Sequence, residues 1–285
     1  MAVGALLRGL VRRPVLFAGI VVIGCVVAAA LFAPWLAPYA PDNQMFDGLS
    51  LEGAPLPPSH QFWLGTDTLG RDLLSRLIYG ARTSLMIGVV ANGTAVLIGL
   101  TVGILAGYFG GLPGGVLMRF TDLMTAFPAL LLAIVLAALL KPSLWIVAMV
   151  IAMVNWVQVA RIAYTETRSL TERDFILAER AMGAGNLRVL ALHILPHLVP
   201  TAIVWGTLGI ATTVLLEATL SFLGIGVQPP EPSWGNIVFE SQSYFQSAPW
   251  LVFFPGLAIL ATALSFNLVG DALRDLIDPT QRGRD

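Results

Sequence analysis

The chain has 285 residues, 56% of them hydrophobic and 12% charged, and a mean hydropathy of +0.80. Too few polar residues remain to cover a water-facing fold, so the chain is expected in lipid. A net charge of −1 leaves no cationic surplus for nucleic acid, and the single cysteine, Cys25, excludes a disulfide framework or a cysteine metal site.

A spanning helix needs about 20 mostly apolar residues. In chain order, Val15 to Leu36, Ser84 to Phe109, Leu123 to Leu140, Leu144 to Ile162, Leu198 to Leu223 and Trp250 to Val269 qualify. The first follows Arg8, Arg12 and Arg13 as a signal peptide would, but its apolar run exceeds the roughly 7 to 15 residues of a signal core and is expected to stay as an anchor. Val22 to Cys25 imitates a lipid-attachment site, yet the residues after Cys25 remain apolar.

In the second run Gly99, Gly103 and Gly107 fall four apart, lining one helix face for close approach by another backbone, within the chain or in a partner. Asp122, about one turn from the end of a span, and Glu217, inside one with Thr213 and Ser221 at i−4 and i+4, are either hydrogen-bonded structural carboxylates or steps in a proton path. The one lysine, Lys141, lies between Leu140 and Pro142, so no G-x-x-x-x-G-K-[ST] phosphate loop exists, and any ATP-driven mechanism needs a separate subunit. His193 and His197 have helical i, i+4 spacing, but Pro196 lies between them and no third metal ligand is evident.

With the N-terminus inside, 12 of the 16 Lys and Arg fall on the cytoplasmic side, and only Arg71, Arg76, Arg82 and Lys141 fall outside. Both termini and the stretch between the fourth and fifth runs are therefore expected in the cytoplasm. In that stretch Ser169 or Thr171 can cap a helix whose first turn holds Glu172 and Asp174. Gly183 and Gly185 then break it, Asn186 can cap a second short helix, and Pro196 is expected to end that helix before the next span. Phe175, Ile176, Ala181 and Met182 lie near the bend, and a small apolar knob framed by charge suits docking to another protein.

AERAMGAGNLRVLALHILPH, Ala178 to His197, resembles the EAA loop of permease subunits of ABC importers. Setting Gly183 on the motif glycine places Leu195 and Pro196 on its Leu-Pro and Leu177, Ala178 and Glu179 on its E-A-A, with Leu177 where the motif has glutamate. A register starting at Glu179 recovers the acid and puts Gly185 on the glycine, but loses the proline. LGTDTLGRDLLSRLIYGARTSL, PPEPSWGN, SAPWLVFFPGLAI and FNLVGDALRDLIDP are similar to blocks in the second permease of dipeptide and oligopeptide importers; permeases of nickel and glutathione importers have similar blocks.

The resemblance implies an all-α, six-helix chain of the type I ABC importer transmembrane fold in a prokaryotic cytoplasmic membrane. Its partners would be a second homologous permease, two ATP-binding subunits and an extracytoplasmic solute-binding protein. The chain itself would carry no cofactor and no catalytic residue, since ATP is bound by the partners. Docking would fall to Phe175, Leu177, Ala178, Glu179, Ala181, Met182, Gly183 and Leu187 in a coupling loop over 163–197. The expected parts are an anchor (1–36), an extracytoplasmic loop (37–83), the permease core (84–272) and a cytoplasmic tail (273–285). The competing class is a proton-driven secondary transporter, which calls for an inverted repeat that the sequence does not display. A structural scaffold would leave the glycine turn without a purpose.

Overall fold

The structure, a computed structural model, describes residues 14–140 and 143–277, so the expectations resting on Arg8, Arg12, Arg13, Lys141, Arg282 and Arg284 lie outside the described residues. Among these residues all regular elements are helical, with β pairing confined to two isolated bridges, Leu49 with Pro55 and Thr66 with Asp72. The first apolar run forms α1 (Pro14–Leu31) and, after Phe32, the single turn α2 (Ala33–Leu36), which carries Pro34 where a missing N–H is harmless. Most of α1, including Cys25, is exposed and apolar, as befits a helix solvated by lipid.

The next helix, α3 (Leu73–Phe109), has 37 residues and at 1.5 Å per residue spans about 55 Å, well beyond a hydrocarbon core of about 30 Å. It starts before Ser84 because the Asp72 carboxylate caps it, accepting from the Ser75 N–H at 2.8 Å and the Ser75 hydroxyl at 2.6 Å. Its glycine stripe meets α6 (Leu144–Thr171) within the chain. A Cβ added at Gly99 would lie 2.6 Å from the Trp156 carbonyl oxygen, and one at Gly103 would lie 2.6 Å from Ala163 Cβ. The two backbones therefore approach as closely as glycine permits.

The third expected span is not straight. Leu123 to Ala126 belong to α4 (Gly111–Ala126), which meets α5 (Ala129–Leu139) at 87°, and only the pair together is apolar and long enough to cross. The break falls at Phe127, held extended (φ −88°, ψ 131°) because the ring of Pro128 disfavours a helical residue before it. The remaining α-helices among the described residues are α7 (Asp174–Ala181), α8 (Asn186–Val189), α9 (Leu195–Phe222), α10 (Trp234–Glu240) and α11 (Trp250–Ile277). Two apolar cores join the bundle, one around Ile87, Ala133, Val150 and Leu220 from α3, α5, α6 and α9, the other around Ala30, Leu85, Val214 and Phe266 from α1, α3, α9 and α11.

Following the chain through these helices puts 37–72 and 223–249 on one side, the loop face, and 172–185 on the other, the turn face. A buried ionic cluster fastens the loop face. Arg71 Nε lies 2.6 Å and Arg76 Nη1 2.5 Å from Asp67 Oδ2, while Arg71 Nη2 and Arg76 Nη1 lie 2.7 Å and 2.9 Å from Glu240 Oε2. Burial holds the Glu240 carboxyl above the ordinary glutamate value; Arg71 opposes that rise and Asp67 adds to it.

Candidate functional site

On the turn face α6 continues to Thr171, so Ser169 and Thr171 do not cap the next helix as expected. Thr171 donates its hydroxyl back to the Arg168 carbonyl at 2.8 Å, and Glu172 closes α6 and pairs with Arg168 at 3.3 Å. With these groups committed to α6, α7 starts after an extended Arg173 that gives no side-chain cap, with Asp174 in its first turn and Arg180 in its last, both favourable to the helix dipole.

At the end of α7, Gly183 has φ +86°, the Gly183 N–H bonds to the Arg180 carbonyl at 3.0 Å and the Ala184 N–H to the Glu179 carbonyl at 3.0 Å. This is the paired bonding of a Schellman stop, and it reverses the chain in two residues. Gly185, rather than Asn186, then occupies the cap position of α8; the Asn186 Oδ1 instead accepts from the Tyr108 hydroxyl at 2.9 Å.

Pro196 does not end the second limb. A π turn over Leu190–Ile194, with the Leu195 N–H bonded to the Leu190 carbonyl five residues back, leads directly into α9, and Pro196 sits in the first turn of that helix. Widening the coil at this point relieves the clash that a proline ring makes with the carbonyl four residues earlier. The turn and the fifth span are thus one mechanical piece.

Ile176, expected at the exposed knob, is fully buried with Tyr108, Ala163, Val189, Ile194 and Leu198, and it roots the turn on α3, α6 and α9. Arg180 lies over the Tyr108 ring, 4.6 Å from its centroid. Phe175 stacks on His197 at 5.9 Å, and Glu179 faces His193 at 3.4 Å, so both turn toward the second limb. Leu177, Ala178, Ala181, Met182, Gly183 and Leu187 form the outer surface, where Met182 and Leu187 are 76% and 80% exposed.

The two singled-out carboxylates lie apart. Asp122 Oδ1 receives Arg161 Nη2 at 2.7 Å, both side chains about half exposed, which ties α4 to α6. Glu217 is fully enclosed, with Ser84 and Ser221 hydroxyls donating at 3.0 Å and 2.8 Å to its two oxygens; Thr213 instead receives the Asn155 amide at 3.3 Å.

A further feature escaped the sequence. Asn92, Asn155, Gln158 and Asn267, from α3, α6 and α11, line one cleft of about 280 Å³ together with Trp205 and Thr212 of α9. They are the only Asn and Gln in the six apolar runs. Their signal was an isolated amide in an apolar helix, but their convergence is purely tertiary. Gln158 and Asn267 are exposed on the isolated chain, and an amide facing hydrocarbon is costly, so this face calls for water or protein against it.

Residues 99–283 match the family described as binding-protein-dependent transport system inner membrane component, and residues 5–58 match the N-terminal TM domain of oligopeptide transport permease C. The chain belongs to this permease family. The permease is 41% identical over 277 residues to the dipeptide transport system permease protein DppC of Alkalihalophilus pseudofirmus, covering 96% of this chain and 89% of that one. It is 43% identical over 259 residues to the di/tripeptide transport system permease protein DppC of Pseudomonas aeruginosa, covering 89% and 84%. Its fold is similar to that in a structure of the MetNI methionine ABC transporter in inward facing conformations, with a TM-score of 0.58, 18% identity, and coverage of 71% of this chain and 97% of that one. The permease is thus a multi-pass membrane subunit of an ABC importer, and ATP hydrolysis belongs to separate subunits.

Proposed function

We propose that this permease forms one half of a membrane path for dipeptides or short oligopeptides, pairs with a second homologous permease, and is driven by two ATP-hydrolysing subunits docked on its turn face. A solute-binding protein delivers cargo at the loop face, and both termini lie in the cytoplasm. The observation that carries the reading is the turn itself: Leu177, Ala178, Ala181, Met182 and Leu187 stand outward on a Schellman reversal whose second limb runs unbroken into α9. Phe175 and Glu179 join the two limbs through His197 and His193. A push on the outer surface is passed to a membrane helix with little slack, which is what alternating access by rigid-body rocking requires.

The amide cleft supports the path. Asn92 and Asn155 donate their amides to the Gly206 carbonyl and the Thr213 hydroxyl, while the exposed amides of Gln158 and Asn267 offer donors and acceptors that match peptide bonds without selecting for side-chain charge; the names of the similar DppC proteins favour peptide cargo. The orientation is supported by the distribution of arginines among the described residues, since only Arg71, Arg76 and Arg82 lie toward the loop face while Arg119, Arg161, Arg168, Arg173, Arg180, Arg188 and Arg274 lie toward the turn face. Uptake by proteoliposomes holding the full complex tests cargo: a labelled dipeptide should accumulate with ATP and binding protein, and accumulation of glutathione or a nickel chelate instead would reject peptide cargo. Ser59→Cys and Gln242→Cys, in a Cys25→Ala background, should label from outside intact cells and Arg188→Cys should not.

A further inference from the structure

Two cavities on the loop face meet at one arginine. The first, about 390 Å³, is lined by polar groups of both signs: Arg82, Asp42 and Glu231, with the Tyr79 and Thr83 hydroxyls beside them. The second, about 330 Å³, continues from it between α1 and α3 and is otherwise apolar, walled by Val27, Leu31, Leu85 and Val89. Arg82 and Met86 line both. Unlike Arg71 and Arg76, Arg82 has no carboxylate within ion-pair distance among the described residues, so its guanidinium is available.

These compartments have the proportions of one amphiphile. The apolar groove opens along two membrane helices, and Val27, Leu31 and Val89 are exposed there, so an acyl chain can enter it sideways from the bilayer. The charged compartment lies just beyond the apolar ends of the same helices, at headgroup level. We propose that this is a binding site for a zwitterionic, amine-bearing phospholipid. Arg82 takes the phosphate, Asp42 and Glu231 face the ammonium, and one acyl chain fills the groove against Leu85 and Val89. An anionic headgroup without an amine would meet two uncompensated carboxylates, so the mixed lining favours a headgroup carrying both charges. A zwitterionic peptide could use the charged compartment alone, but it gives no account of the apolar groove that shares Arg82.

Native mass spectrometry of the intact importer, with dioleoyl phosphatidylethanolamine and dioleoyl phosphatidylglycerol as probes, tests this. The phosphatidylethanolamine should be retained in preference. Arg82→Ala, at an exposed position, should weaken its binding about tenfold, the loss of one charge-assisted hydrogen bond. Val89→Trp, which fills the groove without touching the charged compartment, should do the same. Asp42→Asn with Glu231→Gln should erase the preference between the two lipids. Unchanged binding in both Arg82→Ala and Val89→Trp, equal binding of the two lipids to the wild type, or displacement of the phosphatidylethanolamine by a dipeptide would overturn the proposal, the last by assigning Arg82 to cargo.

Discussion

Tyr108 donates its hydroxyl hydrogen to Asn186 Oδ1 at 2.9 Å while its ring lies 4.6 Å beneath the Arg180 guanidinium, so one side chain at the end of α3 holds both limbs of the turn. A hydrogen bond of this kind contributes about 0.5–1.5 kcal/mol, and the cation–π contact about 0.5–1 kcal/mol. Tyr108→Phe keeps the ring and should lower transport per ATP hydrolysed several-fold; Tyr108→Leu loses both contacts and should lower it further, with the complex still assembled. Parallel ATPase and uptake assays read the ratio, and equal coupling in all three proteins would rule out this brace.

Gly183 has open space around the point where a Cβ would sit, so substitution there is opposed by its φ of +86° and by nothing steric. Gly183→Val should cost about 1–3 kcal/mol locally, while Gly183→Asn, whose side chain tolerates the left-handed region, should cost less. Uptake should therefore fall in the order Gly183, Gly183→Asn, Gly183→Val at similar membrane levels. Equal loss in the two variants would mean that the backbone conformation is not what matters.

Glu217 joins α9 to α3 through Ser84, and Ser84 also accepts from the Trp234 N–H at 3.4 Å, so the carboxylate indirectly holds the segment leading into α10. Glu217→Leu leaves the enclosed Ser84 and Ser221 hydroxyls without it and should destabilise the complex by about 1–3 kcal/mol per unpaired group. Glu217→Gln should retain ATP-driven uptake, since an amide still offers an acceptor. A proton-coupled transporter would behave differently, losing uptake in Glu217→Gln or Asp122→Asn and working from a pH gradient without ATP. Proteoliposome assays separate the two.

The Glu240 carboxyl is raised mainly by burial, with Arg71 opposing the rise and Asp67 adding to it; Arg76 is the remaining charged neighbour. The folded state thus binds this proton more tightly than the unfolded chain does. The associated stability is complete below the ordinary value of 4.5 and is lost as pH rises through the higher folded value. Measured against Glu240→Gln, protease resistance of the 37–72 loop in the wild type should gain on mild acidification. A difference that shrinks as pH falls would contradict the sign.

Much of the helical frame was legible because lipid demands long apolar runs and leaves them plain in sequence. The glycine turn was legible too, since a positive φ calls for Gly183 whatever surrounds it. What stayed hidden depends on partners far away in the chain. The start of α3 at Leu73 is invisible to hydropathy because Arg76 is buried by Asp67 and Glu240. The direction of Ile176 is set by Tyr108 and Leu198, the amide cleft by three separate helices, and the passage through Pro196 by a π turn that no spacing announces. The bend at Pro128, by contrast, was signalled locally by a proline inside the apolar run from Leu123 to Leu140.

In the proposed mechanism ATP energy enters through the outer surface of this turn. Met182 is 76% exposed and lies outside the cluster around Ile176 that roots the turn, so Met182→Asp should leave the fold intact while placing a charge on a surface that must lose water on docking. The decisive measurement is ATP-dependent dipeptide uptake by the reconstituted complex, together with the amount of ATPase subunit that co-purifies. Met182→Asp should reach the membrane, keep its permease partner, and lose both the ATPase subunits and uptake. Full retention of ATPase subunits with coupled uptake at the wild-type rate would contradict that mechanism.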